Sequence, residues 1–300
     1  MRKFIGVDLG GTNIRAAIVS EDGEILNMKK SESHPERGAE AVMETMTSLI
    51  ESLEGYEECE GIGMGIPGPI DTVNGKIIVS TNLPKLIGFP IADYIQKHFQ
   101  KPAYMDNDVK VAALGEAVLG GGKGYPIVYY VTISTGIGGA LVIDKKVISG
   151  QNGHAGEIGN ICIDRNREKY NILNVGAVEN EASGTAITRK GRAVFGDSIT
   201  NAGDVFELAR KGDEKALEIV DAMAYDLAMM FSAIGHIIDP HVFVVGGGVM
   251  KGKDVFFDKM EKYYRSMIHA GMQPVVFKEA ELEEPGIVGA AMLPMTQKQA

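Results

Sequence analysis

The chain begins with an apolar segment that runs into a glycine turn, Phe4-Ile5-Gly6-Val7-Asp8-Leu9-Gly10-Gly11-Thr12-Asn13, before apolar residues resume. The pattern returns in the second half, where an apolar segment leads into Ser134-Thr135-Gly136-Ile137-Gly138-Gly139 and continues to Ile143. β-Branched residues around each turn predict strands, and glycine lets backbone N–H groups approach a polyanion without an intervening side chain. One such turn in each half predicts a clamp for the phosphates of a nucleotide.

The composition is that of an ordinary globular protein, and it limits the classes of partner. The chain has 300 residues, of which 45% are hydrophobic and 23% charged, enough for one large or two modest domains. Its net charge of −10, without a basic run, argues against nucleic acid, and no apolar run approaches the roughly 18 residues of a membrane span. Cys59 and Cys162 are too few for a disulfide framework. Since the chain also starts directly with a strand and not with a signal peptide, we expect a cytoplasmic protein.

Apolar periodicity predicts two halves of similar element order. Three-stranded meanders are expected at 4–30 and 127–149, each followed by alternating helices and strands. The other expected helices are at 36–53, 91–99, 108–117, 183–194, 203–210, 214–236, 254–268 and from 286 onward. The other expected strands are at 61–66, 77–79, 103–105, 242–245 and 274–277. This repeated order predicts an α/β fold.

Two common nucleotide-binding motifs fit this chain poorly. The P-loop needs a Gly-Lys-Ser/Thr ending, but Gly122-Lys123 is followed by Gly124. The spacing G-x-G-x-x-G occurs at Gly63, Gly65 and Gly68, where the following Pro69 indicates a turn and not the start of a helix. The phosphate site is therefore expected at the two duplicated turns.

Eight short motifs in order resemble the ROK family (repressor, open reading frame, kinase) of sugar kinases. They are Asp8-Leu-Gly-Gly-Thr12, Gly65-Ile-Pro-Gly68, Asp106-Asn107-Asp108, Ser134-Thr-Gly-Ile-Gly-Gly139, His154-Ala-Gly-Glu-Ile-Gly159, Glu179-x-x-x-Ser-Gly184, Gly246-Gly-Gly-Val249 and Gly286-x-x-Gly-Ala-Ala291. The resemblance implies a duplicated ribonuclease H-like (actin/hexokinase-like) α/β fold with two lobes around a cleft. We expect a small lobe at 1–106 plus 287–300 and a large lobe at 107–286. It also implies an ATP-dependent kinase that phosphorylates the 6-hydroxyl of a hexose, and a homodimer.

Asp108 is the expected general base. Phosphoryl transfer needs a carboxylate that accepts the proton of the attacking hydroxyl; from the residues alone, Asp108 could equally cap the helix that follows. The resemblance favours the base, with Asn107 on the sugar and Asp106 as the cap or turn residue. It also implies that Glu157 and Glu179 accept hydrogen bonds from sugar hydroxyls, whereas each alone could be an exposed loop acid. Gly65, Asn82 and Asn160 match further positions near the sugar.

The resemblance places the nucleotide at both glycine turns and at the later triple-glycine segment. Asp8 would hold Mg²⁺, through water, because this ion keeps several waters and needs few carboxylates; a turn-forming Asp is the alternative. The other expected contacts to ATP are Gly10, Gly11, Thr12, Thr135, Gly136, Gly246, Gly247 and Gly248. For the last three, a strand-end turn without a ligand is the alternative.

The loop between Glu157 and Glu179 departs from the family. Typical members hold a structural zinc there with one histidine and three cysteines, and the corresponding positions here are Asn160, Tyr170, Ile172 and Ala177. Tetrahedral zinc needs four such ligands, so we expect no zinc site and a loop held by packing, with Tyr170, Ile172 and Leu173 as candidates.

Glucose is the expected sugar, but the missing histidine leaves other sugars open. N-Acetylmannosamine, allose, fructose and β-glucosides are the alternatives. The family also contains sugar-responsive transcriptional regulators, which carry an additional N-terminal helix-turn-helix domain. The first strand at Phe4 and the negative charge disfavour a regulator.

Overall fold

The computed structural model describes residues 1–297, and this part contains twelve strands and nine α-helices. The strands are β1 (Lys3–Leu9), β2 (Asn13–Ser20), β3 (Ile25–Glu32), β4 (Ile62–Ile66), β5 (Ile70–Asp71), β6 (Lys76–Ile77), β7 (Ala103–Asn107), β8 (Ile127–Ile133), β9 (Ile137–Ile143), β10 (Lys146–Val147), β11 (Val242–Gly246) and β12 (Val276–Glu279). The helices are α1 (Ala39–Glu51), α2 (Ile91–Phe99), α3 (Asp108–Val118), α4 (Glu179–Ala182), α5 (Gly184–Phe195), α6 (Ala202–Arg210), α7 (Glu214–Ile238), α8 (Lys253–Met267) and α9 (Pro285–Gln297).

Two five-stranded sheets repeat one strand order. The first has the order β3-β2-β1-β4-β7 and the second β10-β9-β8-β11-β12. In each sheet the three strands of the meander lie on one side. The two later strands lie on the other side, next to the first strand of the meander, which is β1 in the first sheet and β8 in the second. β1 and β4, β4 and β7, and β11 and β12 pair in parallel. The predicted duplication and the α/β class are confirmed.

Most predicted elements lie within a few residues of their observed bounds. The helix expected from residue 36 starts at Ala39, because Gly38 adopts a positive φ of 101° and separates α1 from the turn at Pro35–Arg37. The strand expected at 77–79 is shorter, since β6 ends at Ile77. The last strand lies two residues later than expected, at Val276–Glu279.

The chain divides into two compact units. Unit 1 comprises Met1–Val128, Ala140–Ala155 and the segment from Ala280 onward, and unit 2 comprises Tyr129–Gly139 and Gly156–Glu279. Unit 1 thus includes α3, which the predicted lobe bounds of 1–106 plus 287–300 left out, because α3 packs along α9. Residues 298–300 of the predicted small lobe lie outside the described residues.

Glycines allow α9 to lie directly on the first sheet and on α3. A Cβ atom at Gly289 would lie 1.7 Å from the carbonyl oxygen of Val111 on α3. Similarly, a Cβ at Gly6 on β1 would lie 2.2 Å from the Ile287 oxygen, and one at Gly63 on β4 would lie 1.8 Å from the Ala290 oxygen. Backbone therefore meets backbone along this seam, and a side chain at any of these positions would force α9 outward.

Candidate active site

Three parallel strands of unit 1 place polar residues side by side. In the strand register Asp8 on β1 lies opposite Gly65 on β4, and Gly65 lies opposite Asp106 on β7. The carboxyl ends of parallel strands share one edge of a sheet, which is where α/β folds bind ligands. Unit 1 thus brings together Asp8, Gly65 and the turn that contains Asp108.

Asp108, the expected base, is the first residue of α3. Its half-buried carboxylate accepts a hydrogen bond from the Val109 N–H at 2.9 Å. Burial raises the pKa of Asp108, and the negative charge of Asp8 raises this pKa further. Within residues 1–297 no lysine or arginine forms an ion pair with Asp108, so its carboxylate is available to a ligand.

Asn107, and not Asp106, caps α3. The Asn107 Oδ1 accepts hydrogen bonds from the N–H groups of Val109 (2.9 Å) and Lys110 (3.3 Å), and its Nδ2 donates to the Gly68 carbonyl at 3.1 Å. Asp106 was expected to be the cap or a turn residue, but it lies within β7, which continues to Asn107. Asp106 is buried, accepts a hydrogen bond from Ser149 Oγ at 2.8 Å and lies 4.0 Å from Lys110 Nζ.

The first glycine turn borders a cavity of about 460 Å³ in unit 1. Gly10, Gly11 and Thr12 line this cavity together with Asp8 and Arg15. The Gly10 N–H closes the turn on the Asn13 carbonyl at 2.8 Å.

Exposed Asn82 packs against the same turn, since a Cβ at Gly11 would lie 3.1 Å from the Asn82 Cβ. The predicted sugar residue and the predicted phosphate turn are therefore neighbours.

Arg15 also lines the cavity at the first glycine turn, and the sequence analysis did not single it out. Its guanidinium contacts Asp8 Oδ2 and Glu284 Oε2, each at 2.5 Å. The signal was available, because a hairpin that turns at Gly10–Thr12 pairs Asp8 with Arg15 across β1 and β2. The aspartate expected to hold a cation thus already carries a fixed positive neighbour.

Asp8 fits a magnesium ion bound through water. Arg15 occupies its Oδ2, and no hydrogen bond to its Oδ1 is found among the described residues. Mg²⁺ prefers oxygen ligands and keeps several waters, so a single carboxylate oxygen suffices. Residues 1–297 contain no group of three or more His, Cys, Asp and Glu side chains that could hold a metal ion.

The second glycine turn, in unit 2, is joined to Glu179. The half-buried Glu179 accepts a hydrogen bond from the Ile137 N–H at 2.8 Å through Oε2. A Cβ at Gly136 would lie 2.5 Å from the same oxygen, so a side chain there would displace the Glu179 carboxylate. The carboxylate predicted to bind sugar and the turn predicted to bind phosphate are thus in direct contact.

A cavity of about 930 Å³ lies entirely within unit 2. Its lining includes Thr135 and Gly248 from the predicted nucleotide set, along with Thr185 and Asn201. Ligand pockets commonly have volumes of about 300–1,000 Å³, so this cavity is large enough for a nucleotide. Gly247, next to this lining, has a φ of 93°, and its Cβ would lie 2.3 Å from the Ile133 oxygen. Only glycine fits that position.

Glu157 precedes a short 3₁₀ turn in unit 2, and Asn160 is the last residue of that turn. The Glu157 side chain is exposed and makes no hydrogen bond or ion pair within the described chain. Asn160 accepts a hydrogen bond from the Asn174 N–H at 2.6 Å through Oδ1. Glu157 can therefore offer both carboxylate oxygens to a ligand, and Asn160 can offer its amide N–H groups.

The repeated sheet order and the aspartate that follows the third parallel strand define the class of duplicated ribonuclease H-like proteins with the actin/hexokinase-like fold. The ROK family model matches residues 4–297. The chain belongs to the ROK family.

Its relatives include several sugar kinases. A glucokinase from Thermotoga maritima is 32% identical over 307 residues, which cover 97% of this chain and 96% of that protein. An N-acetylmannosamine kinase from Yersinia pseudotuberculosis is 30% identical over 295 residues, covering 97% and 98% of the two chains.

Solved structures match over nearly the whole chain. The ROK hexokinase of Thermus thermophilus aligns with a TM-score of 0.88 and 30% identity, covering 99% of this chain and 100% of that one. The ROK family glucokinase of Streptomyces griseus in complex with glucose and AMPPNP aligns with a TM-score of 0.77 and 29% identity, covering 97% and 98%. Among the described residues, no helix is both long and apolar enough to span a bilayer.

Proposed function

We propose that this ROK protein, an ATP-dependent hexose kinase, transfers the γ-phosphoryl group of ATP to the 6-hydroxyl of glucose with Asp108 as general base. The observation that carries the proposal is the environment of Asp108. It starts α3, its burial raises its pKa, and it has no cationic partner among residues 1–297. A carboxylate paired with lysine or arginine would be a weaker proton acceptor.

Phosphoryl transfer requires the protein mainly to position the two substrates and to accept one proton. As the hydroxyl oxygen attacks the phosphorus, Asp108 accepts the hydroxyl proton. A raised pKa makes this carboxylate a better acceptor than an exposed aspartate. The hydrogen bond from the Val109 N–H fixes the carboxylate at the helix start.

The sugar hydroxyls would be bound by residues that keep unused hydrogen-bonding capacity. Glu157 has two free oxygens and Glu179 has one, since its Oε2 is bound to Ile137. Asn160 keeps its amide donors, and Asn107 keeps the amide hydrogen not used by Gly68. Gly65 and Asn82 complete the proposed set.

The phosphates would be bound by backbone N–H groups of the two glycine turns, and the rest of the nucleotide by the 930 Å³ cavity that Thr135 and Gly248 line. Asp8 would hold Mg²⁺, which neutralises phosphate charge when bound. We further propose that the protein works in the cytoplasm as a homodimer.

N-Acetylmannosamine is the second candidate sugar. The 30% identity to the Yersinia N-acetylmannosamine kinase is close to the identity to the Thermotoga glucokinase. Asn160 also stands where the resemblance places a sugar-contacting histidine. An acetamido group could accept the Asn160 amide N–H, so this sugar fits the same site chemically.

A panel of hexoses in a coupled ADP-release assay tests the proposal. Glucose should give the highest kcat/KM, and the product should be the 6-phosphate by NMR. A higher kcat/KM for N-acetylmannosamine, allose, fructose or a β-glucoside would reassign the substrate. Absence of sugar-dependent ADP release over the whole panel would refute the kinase function.

A further inference from the structure

An arginine anchors the middle of the loop between the two proposed sugar-binding segments of unit 2. The loop spans 161–178, directly after Asn160 and directly before Glu179. Arg167 in this loop pairs with Asp226 on α7 through two parallel contacts, Nη1 to Oδ2 and Nη2 to Oδ1, both 2.7 Å long. Its Nη1 also lies 3.0 Å from Glu181 Oε2 on α4.

The two acidic partners of Arg167 are almost fully buried, so they fix the position of its guanidinium. The Asp226 side chain is 2% exposed and the Glu181 side chain 6%. Glu181 has a second cation, Lys190, at 2.9 Å. Within residues 1–297, Arg167 is the only cation paired with Asp226. A buried carboxylate without a partner is costly, so folding of unit 2 strongly favours Arg167 at this position.

Apolar packing holds this loop chiefly at its C-terminal end, where Ala177 and Val178 are fully buried. Ile172 is 90% exposed and Tyr170 48% exposed, so the expectation that they pack was wrong. The Arg189 guanidinium instead lies over the Tyr170 ring, with its Cζ atom 3.8 Å from the ring centroid. Two amide pairs close the loop: Asn160 with Asn174, and Asn171 with Asn180 at 2.9 and 3.1 Å. Polar contacts thus hold the middle of the loop, where the sequence predicted apolar packing.

We propose that Arg167 is a positioning residue of the sugar site. Its ion pairs with Asp226 and Glu181 hold the 161–178 loop against α7 and α4 and thereby fix Asn160 and Glu179 at the two ends of the loop. The role rests on the proposed function, because it assumes that these two residues bind the sugar. Arg167 itself touches neither the sugar nor ATP.

The test compares four variants of the full chain. Arg167→Met leaves Asp226 buried without its cation and is the variant at risk of misfolding. Arg167→Met/Asp226→Leu removes both charges and leaves Glu181 paired with Lys190, so it should fold. Arg165→Met, two residues away at an exposed position without a contact in the described chain, is the matched control.

Two readouts are measured: hydrogen exchange of residues 161–178, and the KM values for glucose and for ATP. We expect the double variant to lose protection in the loop and to raise the glucose KM by about 10- to 100-fold, with the ATP KM within about twofold of wild type. Arg167→Lys should recover part of the glucose affinity, since lysine keeps the charge but not the paired contacts. Arg165→Met should match wild type.

The outcomes separate this role from the proposed function. Lost loop protection with an unchanged glucose KM would leave the kinase proposal intact and overturn the positioning role. Wild-type exchange in the double variant would overturn the ion-pair anchor itself. A wild-type protein without hexose kinase activity would overturn the proposed function, and with it the role of Arg167 at a sugar site.

Discussion

Asp8 and Arg15 face each other across the first hairpin and form an ion pair 2.5 Å long. Glu284, just before α9, contacts the same guanidinium at 2.5 Å. The Arg15 guanidinium therefore balances part of the charge of two carboxylates, and it keeps Asp8 Oδ2 occupied. An incoming cation can use only Oδ1 unless the ion pair opens.

Replacing Asp8 should impair the use of magnesium. In Asp8→Asn the proposed oxygen ligand loses its charge, so we expect kcat to fall by about 10²-fold and the Mg²⁺ concentration for half-maximal rate to rise. Magnesium titrations at saturating glucose measure both. Asp22→Asn, at an exposed position, is the control. Unchanged magnesium dependence in Asp8→Asn would exclude Asp8 as the magnesium residue.

Replacing the base should strongly reduce turnover but leave sugar binding intact. Asp108→Asn keeps the shape of the side chain and removes its capacity to accept a proton, so kcat should fall by about 10² to 10⁴. Glucose binding by calorimetry should persist. Asp93→Asn, at an exposed position on α2, should behave as wild type. Near-normal turnover in Asp108→Asn would exclude the proposed mechanism.

The raised pKa of Asp108 predicts opposite effects on activity and stability. The base must be ionised, so the acid limb of kcat/KM should lie above the ordinary aspartate value of 3.8. A folded-state pKa above the unfolded one means that the folded chain binds more protons in the window that begins at 3.8. The free energy of unfolding therefore falls as pH rises through that window.

Asp108→Asn cannot lose a proton, so it should be at least as stable as wild type at pH 7 although it is inactive. Thermal unfolding at pH 4 and pH 7 measures the difference. A variant that is less stable than wild type at pH 7 but not at pH 4 would contradict the assigned direction of the pKa shift.

The close backbone contacts under α9 predict that two glycine-to-alanine substitutions in this helix have very different effects on the free energy of unfolding. In Gly289→Ala the new methyl group would meet the Val111 carbonyl, so the helix must move, at a cost of about 1–3 kcal/mol or more in the free energy of unfolding. Gly286→Ala has open space and should be neutral or slightly stabilising. Urea unfolding compares the two. Equal stability would show that the seam tolerates a side chain.

The loop at 161–178 should fold without zinc. Purified protein is expected to contain no stoichiometric zinc, and EDTA should leave its Tm unchanged, because Arg167 and the amide pairs hold the loop. Mass-spectrometric metal analysis and a thermal scan measure these. One zinc per chain would contradict the expectation.

Local patterns predicted the repeated fold because they are periodic or depend on glycine. The meanders, α2 and the helix after Asp108 follow from apolar spacing and the two glycine turns. The predicted cap of α3 lay one residue too early, because no sequence pattern shows that β7 extends to Asn107. Ile172 was expected inside because isoleucine is commonly buried, whereas the position of this loop is set by Arg167 and Asp226, 59 residues apart in sequence. Contacts of that range cannot be read from spacing.

The discontinuity of unit 1 bears on the order in which the nascent chain can fold. β1 and β4 need α9 on their glycine-rich face, and the Glu116 carboxylate on α3 accepts hydrogen bonds from the N–H groups of Glu281 and Leu282. These partners leave the ribosome more than 150 residues after α3. Unit 1, which carries Asp108, therefore cannot complete its contacts until α9 has been synthesised, whereas all of unit 2 precedes α9 in the chain.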